Sequence, residues 1–211
     1  MNRMSRLYLA MLSLLLCVTP FALAQTYISI DYPGALYTKN ASGINPQGDI
    51  VGAYSDLQLK SRGFLLDAGG YHTLDVPGAL GTVARRINAR RDIVGYFVDA
   101  AGITHGFLWR KGVFTPIDYP GALNYTTAEA INAEGDIVGL YKDSLNNNHG
   151  YLLHGDVFTS IDVPNAWVTE VYDINPKGEV VGRYWDGNGI SHGMLLSGGV
   201  FTDLDPSPPP S

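Results

Sequence analysis

The sequence predicts an all-β fold made of four tandem four-stranded units. Three observations carry this. An Ile/Leu-Asp-x-Pro phrase recurs at Asp31, Asp75, Asp118 and Asp162, 43–44 residues apart. Between those marks, Ile-Asn recurs at Asn45, Asn88, Asn132 and Asn175, Val-Gly at Gly52, Gly95, Gly139 and Gly182, and a Gly-led apolar run at Gly63, Gly106, Gly150 and Gly193. No long stretch after the first 24 residues has a 3.6-residue period, because Gly or Pro interrupts every candidate helix. A period of this size, built from short apolar runs and tight turns, is the mark of one small β-sheet per repeat.

The elements follow in chain order. Residues 1–24 read as a secretory signal: Arg3 and Arg6, an apolar Leu7–Val18, and Ala22-Leu23-Ala24 before Gln25. Cys17 follows the bulky Leu16, which argues against a lipoprotein anchor. The chain from Gln25 then has no cysteine, so a buried core rather than disulfides must hold it. The leader removes two of the 14 Lys+Arg and none of the 20 Asp+Glu, leaving a net charge of −8. Such acidity disfavours nucleic acid and anionic membrane as partners. The expected location is extracellular or periplasmic, with no membrane insertion after cleavage.

Within residues 25–205 the repeats divide at about 27–70, 71–113, 114–157 and 158–200, with a closing strand at 201–205 and a Pro-rich tail at 206–211. Asp49–Asp56 and its counterparts are rich in β-branched and aromatic residues and read as strands. The run from Gly63, the Val113–Asp118 segment and a less regular stretch before each Ile-Asn supply three more. Four short strands per unit match one propeller blade. A small four-bladed β-propeller is expected, with an open β-solenoid or another compact β-repeat as alternatives. Pro33-Gly34, Pro77-Gly78 and Pro120-Gly121 fit type II turns, and Pro164-Asn165 places Asn at the left-handed position. In the second unit Arg91 stands where the others have Gly in the hairpin after Ile-Asn, so it carries either strain or a function. The Phe-Thr-x-Ile-Asp type of strand occurs five times, from Tyr27, Tyr71, Phe114, Phe158 and Phe201. Either one copy is a spare edge strand, able to pair two copies of the chain, or four blades do not close a ring.

The order Ile-Asn-x-x-Gly-Asp-Ile-Val-Gly, then His-Gly-Phe-Leu, then Phe-Thr-x-Ile-Asp-Tyr/Val-Pro-Gly-Ala, resembles the HAF family of probable extracellular repeat proteins across Tyr27–Asp205. The chain has His-Gly where the family name has His-Ala, and Arg62 replaces the first His. The resemblance implies an exported bacterial β-repeat protein and carries no catalytic residues.

His105, His149 and His192 share one repeat position. Three imidazoles suit zinc only if they converge, and equivalent positions on different blades should diverge. A structural pairing with Asp75, Asp118, Asp162 and Asp205 is expected instead, with no metal or cofactor. Asp186-Gly-Asn188-Gly lacks the acidic ligands of a calcium loop and reads as a hairpin. Hydrolase, metalloprotease, phosphate-loop and dinucleotide motifs are absent from the sequence.

A ligand site should lie where the copies disagree. Before Ile-Asn they read Ser42-Gly43, Arg85-Arg86, Glu129-Ala130 and Tyr172-Asp173. On strands lining a central channel, alternation should send one residue of each pair inward: Arg85 with Glu129, or Arg86 with Asp173. Either set makes a salt bridge plugging the channel or a polar site at its mouth. Trp167 and Trp185 flank turns and are candidates for stacking on sugar rings or anchoring a protein, whereas Trp109 should pack. The expected function is a secreted, non-enzymatic binding module for carbohydrate or an envelope surface protein. Alternatives are a polysaccharide hydrolase or lyase using Glu129, Glu170 or Asp173, and a structural matrix component.

Overall fold

Each repeat folds as an antiparallel meander with its strands in chain order. The structure, a computed structural model, describes residues 27–205; the leader expected at 1–24 and the tail at 206–211 lie outside the described residues. The first sheet contains β1 (Tyr37–Ile44), β2 (Ile50–Ser55), β3 (Ser61–Asp67) and β4 (Gly70–Leu74). The second contains β5 (Gly81–Ile87), β6 (Ile93–Val98), β7 (Thr104–Arg110) and β8 (Val113–Ile117). The third contains β9 (Thr126–Ile131), β10 (Ile137–Lys142), β11 (Asn148–His154) and β12 (Val157–Ile161). The fourth contains β13 (Val168–Ile174), β14 (Val180–Trp185), β15 (Ser191–Ser197) and β16 (Val200–Asp203). No helix among the described residues is long and apolar enough to cross a membrane.

The sheets are one strand out of phase with the units read from sequence at 27–70, 71–113, 114–157 and 158–200. The Phe-Thr-x-Ile strand closes its own sheet, because a tight hairpin ties it to the strand before it, as at Asp67↔Gly70. The Pro-Gly turn after it then carries the chain to the next sheet. Consequently the first of the five copies, Tyr27–Asp31, forms no strand, and the last becomes β16.

The Ile-Asn motif builds the β1–β2 type of hairpin. Asn45 Oδ1 accepts from the backbone N–H of Gln47 and Asp49 at 3.0 and 2.9 Å, and Asn88, Asn132 and Asn175 repeat the arrangement. Such side chains replace backbone partners in a turn. The same asparagines reach sideways: Asn45 Nδ2 donates to the Asn88 carbonyl at 3.5 Å, Asn88 to that of Asn132 at 3.1 Å, and Asn132 to that of Asn175 at 3.5 Å. Arg91 adopts φ 64°, beside 86° for Gly48 and 98° for Gly135, a strain on the order of 1 kcal/mol. Its guanidinium bridges to the first sheet, meeting Asp49 at 2.5 and 2.7 Å and Asp67 at 3.1 Å. Asn165 takes φ 64° in the fourth Pro-x turn.

Adjacent sheets pack face to face on apolar clusters. Val51 and Leu65 meet Ile87, Ile93 and Phe107 at the first junction. Val94 and Ile117 meet Ile131 and Tyr151 at the second, and Val138 and Ile161 meet Ile174 and Met194 at the third. This is the stacking of propeller blades. It stops there. Among the described residues no strand of the fourth sheet packs face to face on the first, so the four blades form an open arc rather than a sealed ring.

Candidate functional site

The innermost strands β1, β5, β9 and β13 carry the residues that differ between repeats, and each has a β-bulge at that point. The ladder skips Ser42 between Ala41 and Gly43, Arg85 between Ala84 and Arg86, Glu129 between Ala128 and Ala130, and Tyr172 between Val171 and Asp173. Opposite each bulge lies the Val-Gly glycine. A Cβ on Gly95 would stand 2.0 Å from the Val83 carbonyl oxygen, and one on Gly139 would stand 1.9 Å from that of Thr127. Only glycine allows the inner strand to fold that closely over its neighbour.

The bulge corrects one expectation. Strict alternation would have turned only one residue of each pair towards the centre, but an extra residue interrupts the two-residue period. Both ion pairs therefore form. Arg85 Nε lies 3.1 Å from Glu129 Oε2, without the alignment of a hydrogen bond, and its guanidinium sits 5.5 Å from the Tyr96 ring centre. Arg86 Nη2 lies 3.8 Å from Asp173 Oδ2, and its Nη1 donates to the Ser42 carbonyl at 2.6 Å. The lining of the centre is thus largely self-neutralised.

Beside it stands a denser cluster on the fourth sheet. Glu170 accepts from Arg183 Nε at 2.9 Å, Tyr172 Oη at 2.7 Å and Asn148 Nδ2 of the third sheet at 2.9 Å. Burial opposes ionisation of Glu170, but these three donors outweigh it and hold the carboxyl below its ordinary value. Burial, then the Glu170 carboxylate, pushes the Tyr172 hydroxyl up. The Arg183 guanidinium also lies over the Trp185 ring, 4.2 Å from its centre. Arg183 escaped the sequence reading, although the signal existed: the position after Val-Gly reads Ala53, Tyr96, Leu140 and Arg183.

Trp167 is 61% exposed and Trp185 half-buried, and both line a groove of 460 Å³ between the third and fourth sheets, with Asn148, Glu170 and Arg183. Trp109 packs against the first junction. Arg85, Arg86, Glu129 and Tyr172 surround a neighbouring 410 Å³ hollow at the centre, while Asp173 lines an adjoining recess with Arg86. A larger groove of 810 Å³ runs between the second and third sheets. Arg110 and His154 there are paired, with Asp92 at 2.8 Å and Asp136 at 2.6 Å, but the groove presents no aromatic as exposed as Trp167, which leaves the tryptophan groove as the better-equipped site.

The three repeat histidines stay within their own sheets. His105 Nδ1 lies 2.7 Å from Asp118 and Nε2 3.4 Å from Asp99; His149 meets Asp162 and Asp143 at 2.7 and 3.3 Å; His192 meets Asp205 and Asp186 at 2.7 and 3.5 Å. Carboxylates only accept, so a ring between two of them is satisfied fully when both nitrogens are protonated. Each ring stacks on an aromatic: Phe97, Tyr141 or Tyr184. The ligand atoms of His192, Asp203 and Asp205 lie within 4.8 Å of one another, but the carboxylates are occupied by His192, Tyr184 and backbone N–H groups. Asp186 forms the tight turn expected of the calcium-like sequence, accepting from Asn188 and Ile190 N–H at 2.9 Å.

No protein-family model and no curated protein matches the chain. Solved structures do. AofleA from Arthrobotrys oligospora aligns with a TM-score of 0.51 and 16% identity, over 77% of this chain and 55% of that one. A fucose-specific lectin from Aleuria aurantia aligns with a TM-score of 0.47 and 12% identity, over 78% and 60%. The β-propeller domain of the Trilobed protease from Pyrococcus furiosus, described as having an open velcro topology, aligns at 0.43 and 12%, over 82% and 70%. The chain spans little more than half the length of the first two, and what it shares with AofleA is the fold.

Proposed function

We propose that this protein is an exported, non-enzymatic glycan-binding module of the HAF-repeat type, whose sugar site is the groove between the third and fourth sheets. The observation that carries the reading is Trp167, an exposed aromatic platform beside Trp185 in a groove that also presents Asn148, Glu170 and Arg183. A pyranose offers an apolar C–H face to an aromatic ring and a rim of hydroxyls to planar polar groups. Glu170, Arg183 and Asn148 are already fixed by one another, so little side-chain entropy is lost when a ligand arrives. Repeated blades present such grooves on a rigid scaffold.

The polysaccharide-cleaving alternative has less support. A general acid needs a raised carboxyl pKa, and Glu170 is held low. Glu129 and Asp173 are each committed to an arginine. The test is a glycan array probed with the purified protein and with Trp167→Ala and Trp185→Ala. The wild type should retain one class of glycan, and Trp167→Ala should lose at least about tenfold in affinity, or ~1.4 kcal/mol. An array with no retained glycan, or a Trp167→Ala protein that binds equally well, would overturn the reading.

A further inference from the structure

The two ends of the arc are unlike each other, and each repeats a face that is buried inside the chain. Every internal junction seats the leading face of one sheet, made by its first three strands, on the trailing face of the sheet before it. On the leading face, Ile87, Ile131 and Ile174 are 6%, 7% and 6% exposed, but Ile44 of the first sheet is 66% exposed. Ala84, Ala128 and Val171 are buried at another leading position, whereas Ala41 is exposed. On the trailing face Val51, Val94 and Val138 are fully buried while Val181 of the fourth sheet is 40% exposed. Leu74, Ile117 and Ile161 are likewise buried, and Leu204 is 51% exposed. Tyr54 and Phe64 of the first sheet stay buried under Tyr32, so its leading face is bare around Ala41 and Ile44, and the fourth sheet's trailing face around Val181 and Leu204.

We propose that those two faces join head to tail, the trailing face of one copy's fourth sheet receiving the leading face of a second copy's first sheet. The occupant is a second copy because the three internal junctions already show which partner chemistry each face takes, and this chain supplies both halves. The asparagine series points the same way. All four asparagines donate to the acid of their own hairpin; Asn45, Asn88 and Asn132 donate also to the carbonyl of the next asparagine, a second acceptor that no described residue offers Asn175. In the assembly the next carbonyl is that of Asn45 from the second copy. Arg183, the charge on the trailing side of β14, is turned onto Glu170 at 2.8 Å. Tyr27–Asp31 repeats the outermost strand and puts Ile30 beside Ile44. Residues 28–31 belong to no strand, so β16 of the docked copy can take their place.

A contact between unlike faces is heterologous: it closes into a ring where the rotation permits and otherwise extends as a filament. The test is sedimentation velocity of the purified protein over a wide concentration range, with Ile44→Asp and Val181→Asp. Both side chains are exposed in the single copy, so each variant should keep its circular dichroism and melting temperature at low concentration. The wild type should sediment as a multiple of the chain mass, and each variant alone as a monomer. Mixed, they should form a dimer and nothing larger, since the mixture has one intact leading face and one intact trailing face. A wild type that stays monomeric would overturn the proposal. So would an assembly indifferent to Val181→Asp, the result expected of edge-strand pairing, of a leading-face self-contact, or of an unrelated partner on that face.

Discussion

Arg62 occupies the position that His105, His149 and His192 hold in the other sheets, and makes the same two contacts, to Asp56 at 2.9 Å and to Asp75. The site therefore wants a cation between two carboxylates, and histidine supplies one only while protonated. For His105 and His149 burial opposes protonation, but the carboxylates on either side outweigh it and raise both above 6.5; for His192 the hydrogen bond it donates to Asp205 leads the rise. Raised folded-state values mean that the stabilisation is complete below 6.5 and lost as pH rises through the folded pKa. At the acid end Asp99 and Asp186 are lowered, and Asp143 to about 2 by backbone and side-chain donors. Their contribution is present above 3.8 and lost as pH falls through those lowered values. Melting temperature should thus peak between those limits and decline on the alkaline side. Replacing His149 by Arg, in imitation of Arg62, should shrink the alkaline decline, as read by thermal melts across pH; an unchanged profile would refute the need for a cation between the two carboxylates. The pairing with Asp was legible from spacing alone, because both residues recur at fixed positions. The second carboxylate was not, because nothing in the sequence says that the turn Asp bends back over the ring.

At the scale of the strand, the Val-Gly glycine and the bulge are one device. Gly139→Ala should force Thr127 away from β10 and cost on the order of 3 kcal/mol, visible as a lower urea midpoint. The same substitution at Gly78, where the added Cβ would meet nothing within 4 Å, carries only the penalty of its φ of 80°. Phe107 is fully buried at the first junction and stacks edge-on with Phe114; Phe107→Ala should cost about 3–5 kcal/mol. Strand existence and order were readable because turn chemistry punctuates each run. The bulge was not, since the sequence shows the glycine but not the carbonyl pressed against it. That is why Arg85 and Arg86 looked like alternatives when both face the centre.

For the molecule as a whole, stability in a stack of repeats is a sum over units and their junctions. The second and third sheets are flanked by a sheet on both faces and the first and fourth on one. Amides of β1 and β2 and of β14 and β15 should exchange faster than those of β6 and β10 in native-state hydrogen exchange at low concentration, and uniform protection throughout would contradict an open arc. Repeat number and blade architecture were legible from periodicity, whereas the opening between the fourth sheet and the first was only one of two readings of the fifth Phe-Thr-x-Ile-Asp copy. Ile44 and Val181 match their counterparts letter for letter, and only the fold shows that no neighbouring sheet lies across from them. The bulges have a last consequence. Ser42, Arg85, Glu129 and Tyr172 stand outside the ladder register, so a substitution there removes no residue from the strand pairing. The inner lining can drift while the ladder stays fixed, so four letters can change the charge of the central hollow without shifting the strands that hold them.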